Sequence, residues 1–293
     1  MLNYVNEVPG IGEVLQQSTP ITVIRGIILT TPDFEFASKT SFATEADYLS
    51  AIAAGKMYPI PNILESESQN FEDKVLETST GKKVFQFEGV RGWLLKSVLS
   101  LTQHKLLRQY SFKNWRVFYI DENNNIRGYS PDGTKVKGYK LGMFRVLKQG
   151  SPSANDAAFS TIQLQEAHIE EWDKYGVMVN PTFLASDLTG VLDIKITAGS
   201  VTSNSVQVTA NYVDDSQLTP AGANDSVSVS GLVAANVRIM NGSTEVTTGK
   251  TVTESSTVPG TYTVAATTLV AGYTVQIIAS SANLYKSDPI TLS

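Results

Sequence analysis

The stretch from Tyr110 to Gly150 constrains the fold most, because strand-like runs and turn-forming residues succeed one another along it. Trp115-Arg116-Val117-Phe118-Tyr119-Ile120 is aromatic and β-branched, which suits a pleated, half-buried strand. Asp121 to Asn125 break it with residues that tolerate left-handed backbone and bond to their own chain. Ile126-Arg127-Gly128-Tyr129 returns, Ser130-Pro131-Asp132-Gly133 turns again, and Lys135 to Tyr139 alternates as a further arm. An antiparallel meander is expected, and with it a chain that is mainly β with some helix (α+β).

At 293 residues the chain is long enough for two domains, each with a core of its own. Its 42% hydrophobic and 17% charged residues belong to a globular protein rather than a disordered one. Cysteine is absent, which removes disulfides, thiolate nucleophiles and most structural zinc sites. No apolar run approaches the roughly 20 residues of a membrane-spanning helix, so no membrane partner is expected. Residues 1–7 lack the basic start and apolar core of a signal peptide, so use without classical secretion is expected.

The net charge of −5 is unevenly spread. Residues 1–80 hold 4 basic and 11 acidic side chains, whereas 81–148 hold 14 basic and 4 acidic. Residues 149–190 hold 1 and 6, and 191–293 hold 4 and 7. Either these charges meet within one fold as solvated surface pairs, or an acidic face and a basic face let identical subunits stack. Nucleic acid is a weaker third reading, because the lysines and arginines form no stripe and no binding motif is present.

Residues 1–20 carry Pro9, Gly10, Gly12 and Pro20 without a period and read as an extended arm. Gly10-Ile11-Gly12 follows no strand and lacks a third glycine, so it is not a phosphate loop. Ile21 to Leu29 is a strand, either buried on both faces or bulged at Gly26. Thr44 to Ala54 is a helix with Thr44 as cap, Asp47 three residues on and Gly55 as left-handed exit. Met57 to Ile63 is extended, and Glu65 to Glu77 is an acidic long loop, a candidate intersubunit contact. Lys82 to Glu88 is a strand, and Trp93 to Leu107 is expected to be a second helix with a broad leucine face.

His104 and His168 are the only histidines, and each is expected to be solvated or hydrogen-bonded rather than a metal ligand, although Glu170, Glu171 and Asp173 lie near His168. Phe159 to Gln165 alternates as a strand. Glu166 to Lys174 then carries four acids with Trp172, a composition a glycosidase would need. That reading is set aside, because adjacent acids in a strand or turn point apart and nothing local raises a pKa. Val177 to Pro181 is a last strand. No residue is assigned a catalytic, cofactor-binding or metal-binding role, no cofactor is expected, and the chain is expected not to be an enzyme.

The composition changes between Asp187 and Thr197, after which serine, threonine, valine and alanine dominate. Ser205–Val213, Ser226–Leu232, Val237–Met240, Thr251–Glu254, Thr261–Thr267, Tyr273–Ala279 and Ile290–Leu292 make seven short strands, with turns at Asn241-Gly242, Pro259-Gly260 and Ala271-Gly272. This pattern resembles an immunoglobulin-like sandwich of the disulfide-free bacterial and viral kind, and Gly260-Thr261-Tyr262-Thr263-Val264 looks like its late-strand aromatic segment.

A strand-rich body with an N-terminal arm, a long acidic loop and such a C-terminal module resembles, as an architecture over the whole chain, the tail tube (major tail) proteins of tailed bacteriophages. The resemblance implies an arm over 1–20, a tail-tube-like β-sandwich or barrel with two flanking helices over 21–190, and an immunoglobulin-like domain over 191–293. It implies hexameric rings stacked into a tube through which DNA passes, in the tail of a virion, after synthesis in the host cytoplasm. The implied partners are the chain itself and other phage structural proteins. It rests on no linear motif and carries over no single residue. A capsid decoration or head–tail connector protein has the same ingredients, and a carbohydrate-binding module on an enzymatic body is the rival from another class.

Overall fold

In the computed structural model, residues 22–69, 74–77, 82–87, 89–99, 101–150, 159–212, 228–281 and 283–293 are described; the arm expected over 1–20 lies outside them. The chain is mainly β and divides into two compact units. One is residues up to Thr189 without Leu49–Gly55, and the other is Gly190–Ser293 with Leu49–Gly55.

Before Gly190 the strands are β1 (Ile24–Thr30), β2 (Met57–Ile60), β3 (Ile63–Ser68), β4 (Lys74–Glu77), β5 (Lys83–Phe87), β6 (Gly92–Ser97), β7 (Arg116–Asp121), β8 (Ile126–Tyr129), β9 (Tyr139–Val146), β10 (Ser160–Glu166) and β11 (Gly176–Val179). The helices are α1 (Lys39–Ala43), α2 (Glu45–Ala53), α3 (Leu101–Gln109) and α4 (Glu170–Asp173). Hydrogen bonds run from β1 to β7, β9, β10, β6 and β3 in turn, every pair antiparallel. The circuit closes because β2 and β3 are one segment bent at Pro61-Asn62: β2 pairs with β1 while β3 pairs with β6. Asn62 makes the bend with a left-handed φ of 64°, which asparagine tolerates. A barrel wall built this way hides its strand edges. β8 pairs with the second half of β7, and β11 pairs with β8.

Alternation along these strands fills the barrel. Leu29, Val117, Leu141, Phe144, Ile162 and Leu95 come from five different strands and share one core. α3 lies at one end, where Leu107 joins that core and His104 Nδ1 sits 2.9 Å from Ser160 Oγ at the start of β10. The outer face of β7 carries Phe118, whose ring lies 5.7 Å from Phe36 and 5.4 Å from Phe42. Tyr48 of α2 adds its ring 4.7 Å from Phe36 and donates its hydroxyl to the Phe42 carbonyl at 2.9 Å. Gly128 is required beneath this aromatic layer. A Cβ there would stand 2.6 Å from Phe118 Cε1 and 2.7 Å from the Lys137 carbonyl oxygen, which is backbone and cannot swing away. Gly128→Ala is therefore expected to cost about 1–3 kcal/mol in urea unfolding, the range for overpacking; an unchanged midpoint would show that the layer yields.

Several expectations are corrected. Gly92–Ser97 is a strand, not the start of a helix, because it finds partners on both edges, β3 and β10, and its Leu95 and Ser97 turn inward. The helix there is confined to Leu101–Gln109. Part of the expected long loop is β3 and β4: β3 buries only Ile63, so it reads as a loop, yet it is held by pairing and by Lys96 Nζ, 2.6 Å from Glu65. The third meander arm begins at Tyr139 rather than ending there, and Val136 and Lys137 make isolated bridges only. Glu170–Asp173 is a helical turn rather than strand or irregular chain. Four helices, not two, occur among the described residues. Thr44 Oγ1 donates back to the Thr40 carbonyl at 2.9 Å, and the side-chain cap in this region is Ser38, which accepts from Ser41 N–H at 3.1 Å. Both readings of β1 are found: Ile27, Ile28 and Leu29 are buried in succession, so both faces are covered, and a register slip between Ile24 and Gly26 marks a bulge.

After Gly190 the strands are β12 (Leu192–Ala198), β13 (Ser205–Tyr212), β14 (Val237–Asn241), β15 (Thr244–Glu245), β16 (Thr251–Glu254), β17 (Thr261–Ala265), β18 (Thr274–Ile277), β19 (Tyr285–Lys286) and β20 (Ile290–Thr291). They form two sheets, β16-β17-β13-β12-β19 and β15-β14-β18-β20. Val208 and Val264 of the first and Ile239 and Ile277 of the second share one core. Tyr262 ties its buried ring to the backbone, donating to the Val229 carbonyl at 2.6 Å and accepting from Leu232 N–H at 3.3 Å. The strand expected at Ser226–Leu232 is a single bridge, Ser228 to Asn211, in its described part.

Candidate functional site

β10 points Ser160, Ile162, Leu164 and Glu166 inward in alternation. Ser160 marks the α3 end of the barrel, and Glu166, 1% exposed, marks the other. Tyr119 of β7 donates its hydroxyl to Glu166 Oε1 at 3.0 Å, while Oε2 has no partner. A buried donor of the same neighbourhood, Arg91 Nη1, also lacks a partner among the described residues, and the Trp93 indole lies close enough to act on the carboxyl. Burial pushes the Glu166 carboxyl up from an ordinary 4.5 to about 7; Tyr119, Arg91 and Trp93 pull the other way, and Glu171 adds to the rise. The expectation that nothing in this stretch raises a pKa is thereby overturned, and the cause is desolvation rather than pairing with an adjacent acid.

Aromatic rings and arginines pack around this carboxyl. Tyr119 lies 5.7 Å from Tyr139 and from Trp172, and Tyr139 lies 4.9 Å from Trp172. Arg91 stacks over the Trp172 ring at 4.7 Å and donates Nη2 to Asp173. Arg127 lies 6.0 Å from the same ring and donates to Asp121 Oδ2 at 2.9 Å. Glu171 is committed elsewhere: its Oε2 accepts the Lys140 N–H at 2.6 Å and its Oε1 lies 3.5 Å from Arg116. Burial pushes the Tyr119 hydroxyl well above its ordinary value, with the Glu166 charge adding to the effect, so it stays a donor.

A carboxyl that titrates near neutrality suits proton exchange. Sealed at 1% exposure, with Glu171 tied to Lys140 and Arg116, it is placed to hold and release a proton rather than to attack a bulky substrate. Sequence reasoning missed it because Arg91, Trp93 and Tyr119 are distant in the chain. The local signal was the even spacing from Ile162 through Leu164 to Glu166, which continues the inward row.

The histidines lie apart. His104 is buried and hydrogen-bonded to Ser160, with burial first and the Arg108 charge second pushing its pKa down, and His168 is exposed. Among the described residues no group of three histidine, aspartate or glutamate side chains is placed to hold a metal. A cleft of about 310 Å³ lies beside Arg25, Gly26, Ile120 and Asp121. Its Asp121 is a structural hub: burial raises its pKa, but bonds from Asn125 and Arg127 outweigh this and hold it below the ordinary carboxylate value. No protein-family model matches the chain, and no curated protein matches it.

Proposed function

We propose that the protein is a structural component of a virion whose copies join into stacked rings, forming the tube of a bacteriophage tail. The observation that carries this reading is the β4–β5 hairpin. β4 and β5 pair with each other, from Lys74↔Phe87 to Glu77↔Lys83, and with no other strand among the described residues. A two-stranded hairpin is marginal by itself in water, and its outer edges present N–H and C=O groups that another strand can take. A neighbouring copy supplies that strand. β11, at the end of its sheet path, has an edge that pairs with no strand among the described residues. The basic block at 81–148 and the acidic segments beside it set the register between copies more than the affinity. In this reading the two-sheet unit after Gly190 is an immunoglobulin-like module on the outside of the tube.

Negative-stain micrographs of the purified full chain test the proposal. Tubes with a central lumen are expected. Isolated rings would favour a connector or decoration protein, and dispersed single particles at high concentration would overturn the assembly reading.

A further inference from the structure

The end of the barrel at Glu166 holds two buried polar atoms without a hydrogen-bond partner among the described residues, Glu166 Oε2 and Arg91 Nη1, with the Trp93 indole close enough to the carboxyl to bear on its charge. Buried polar groups of folded proteins are nearly always paired, so two orphans side by side need an explanation. We propose that Glu166 is a proton-operated latch on α4: with its carboxyl neutral, Arg91 holds α4 through Asp173 and Trp172, and on ionisation Arg91 turns to Glu166 and that hold weakens.

The geometry sets up a competition for one guanidinium. Arg91 binds α4 in two ways, through Nη2 to Asp173 and through its face on Trp172 at 4.7 Å, and keeps Nη1 free. A neutral Glu166 needs no counter-charge, and its Oε1 is served by Tyr119. An ionised one, 1% exposed, attracts a nearby cation strongly because little water screens the pair. The guanidinium is a rigid planar fork, so turning Nη1 onto Glu166 carries Nη2 and the stacked face with it. α4 is only four residues long and has no side-chain cap at its start, so it has little stability of its own to keep it in place.

The groups around Glu166 are accounted for element by element. β7 brings Tyr119 and β9 brings Tyr139, both held neutral by burial. Trp93 at the start of β6 is uncharged. Arg91 precedes that strand, and Arg127 of β8 is engaged by Asp121. α4 brings Glu171, engaged by Lys140 N–H and Arg116, and Asp173, engaged by Arg91. Arg91 is thus the cation with a buried N–H left to give. Burial places the titration of Glu166 at about 7, so the latch operates around neutral pH.

Tryptophan emission of the full chain, together with hydrogen-exchange protection factors of residues 168–175, is followed from pH 5.5 to 8.5. One emission transition near neutrality is expected, with protection of α4 lower on its alkaline side. Glu166→Gln, which keeps the shape and can accept the Tyr119 hydroxyl, is expected to remove it. Asp173→Asn releases Arg91 to the carboxylate and is expected to move the midpoint down by about one pH unit, the size of a nearby-charge effect. A flat wild-type emission and protection profile, a transition that persists in Glu166→Gln, or an unmoved midpoint in Asp173→Asn would each overturn the latch. A site filled by a single bridging water gives the flat profile.

Discussion

A chain in which residues 70–88 are replaced by Asn-Gly is expected to fold and to remain dispersed. Gln69 N–H donates to the Gly92 carbonyl at 2.7 Å, so the two ends of the excised segment already face each other across the β3–β6 pair. The replacement leaves a short hairpin loop there, of a length that antiparallel strands accept. Among the described residues the barrel circuit of β1, β7, β9, β10, β6 and β2–β3 pairs with neither β4 nor β5, so its thermal midpoint should move by no more than a few degrees. Association loses the strands that a neighbour is proposed to pair with. Loss of about 3 kcal/mol or more per contact would raise the concentration for half-association at least a hundredfold, since 1.4 kcal/mol is tenfold. Unaltered association of this variant, measured by light scattering over a dilution series, would move the contact to another surface.

Stability of the wild-type chain should fall as pH rises from about 4.5 to about 7, and Glu166→Gln should abolish that fall. The sign follows from linkage. The carboxyl binds its proton more tightly folded than unfolded, with the value raised from 4.5 to about 7. Its contribution is fully present below the lower value and is lost as pH rises through the higher. At 1.36 kcal/mol per pH unit, the loss is on the order of 3 kcal/mol by pH 8.5. The glutamine variant carries no such charge, so it should exceed the wild type at pH 8.5 by about that amount, with most of the difference gone at pH 5. His104 works in the opposite direction: burial and Arg108 depress its pKa, so its contribution is present above its ordinary value and is lost as pH falls through the depressed one. Urea unfolding of both proteins at pH 5, 7 and 8.5 checks this, and parallel curves would show that Glu166 gives up its proton as readily in the fold as in the unfolded chain.

What the sequence made legible was local. The bulge at Gly26 was visible because a glycine interrupts an apolar run, and β16 was visible because Thr251–Glu254 alternates between turns. β6 was not, because Leu94, Leu95, Val98 and Leu99 also fit a helical stripe, and its identity as a strand comes from β3 and β10 far away in the chain. Strand propensity is a property of the partners as much as of the segment. β3 was hidden for the converse reason: it is polar on most positions and depends on pairing and a cross-strand ion pair. The Glu166 site showed locally only in the inward spacing of Ile162, Leu164 and Glu166, since its pKa follows from burial that Tyr119, 47 residues earlier, and the packed rings around it create.

The claim on which the functional account depends is that copies of this chain bind one another in register. Sedimentation velocity of the full chain across a hundredfold range of concentration measures it most directly. Growth from small species to large, discrete assemblies as concentration rises is the predicted result. One unchanging boundary at the mass of a single chain of 31.7 kDa throughout that range would contradict it.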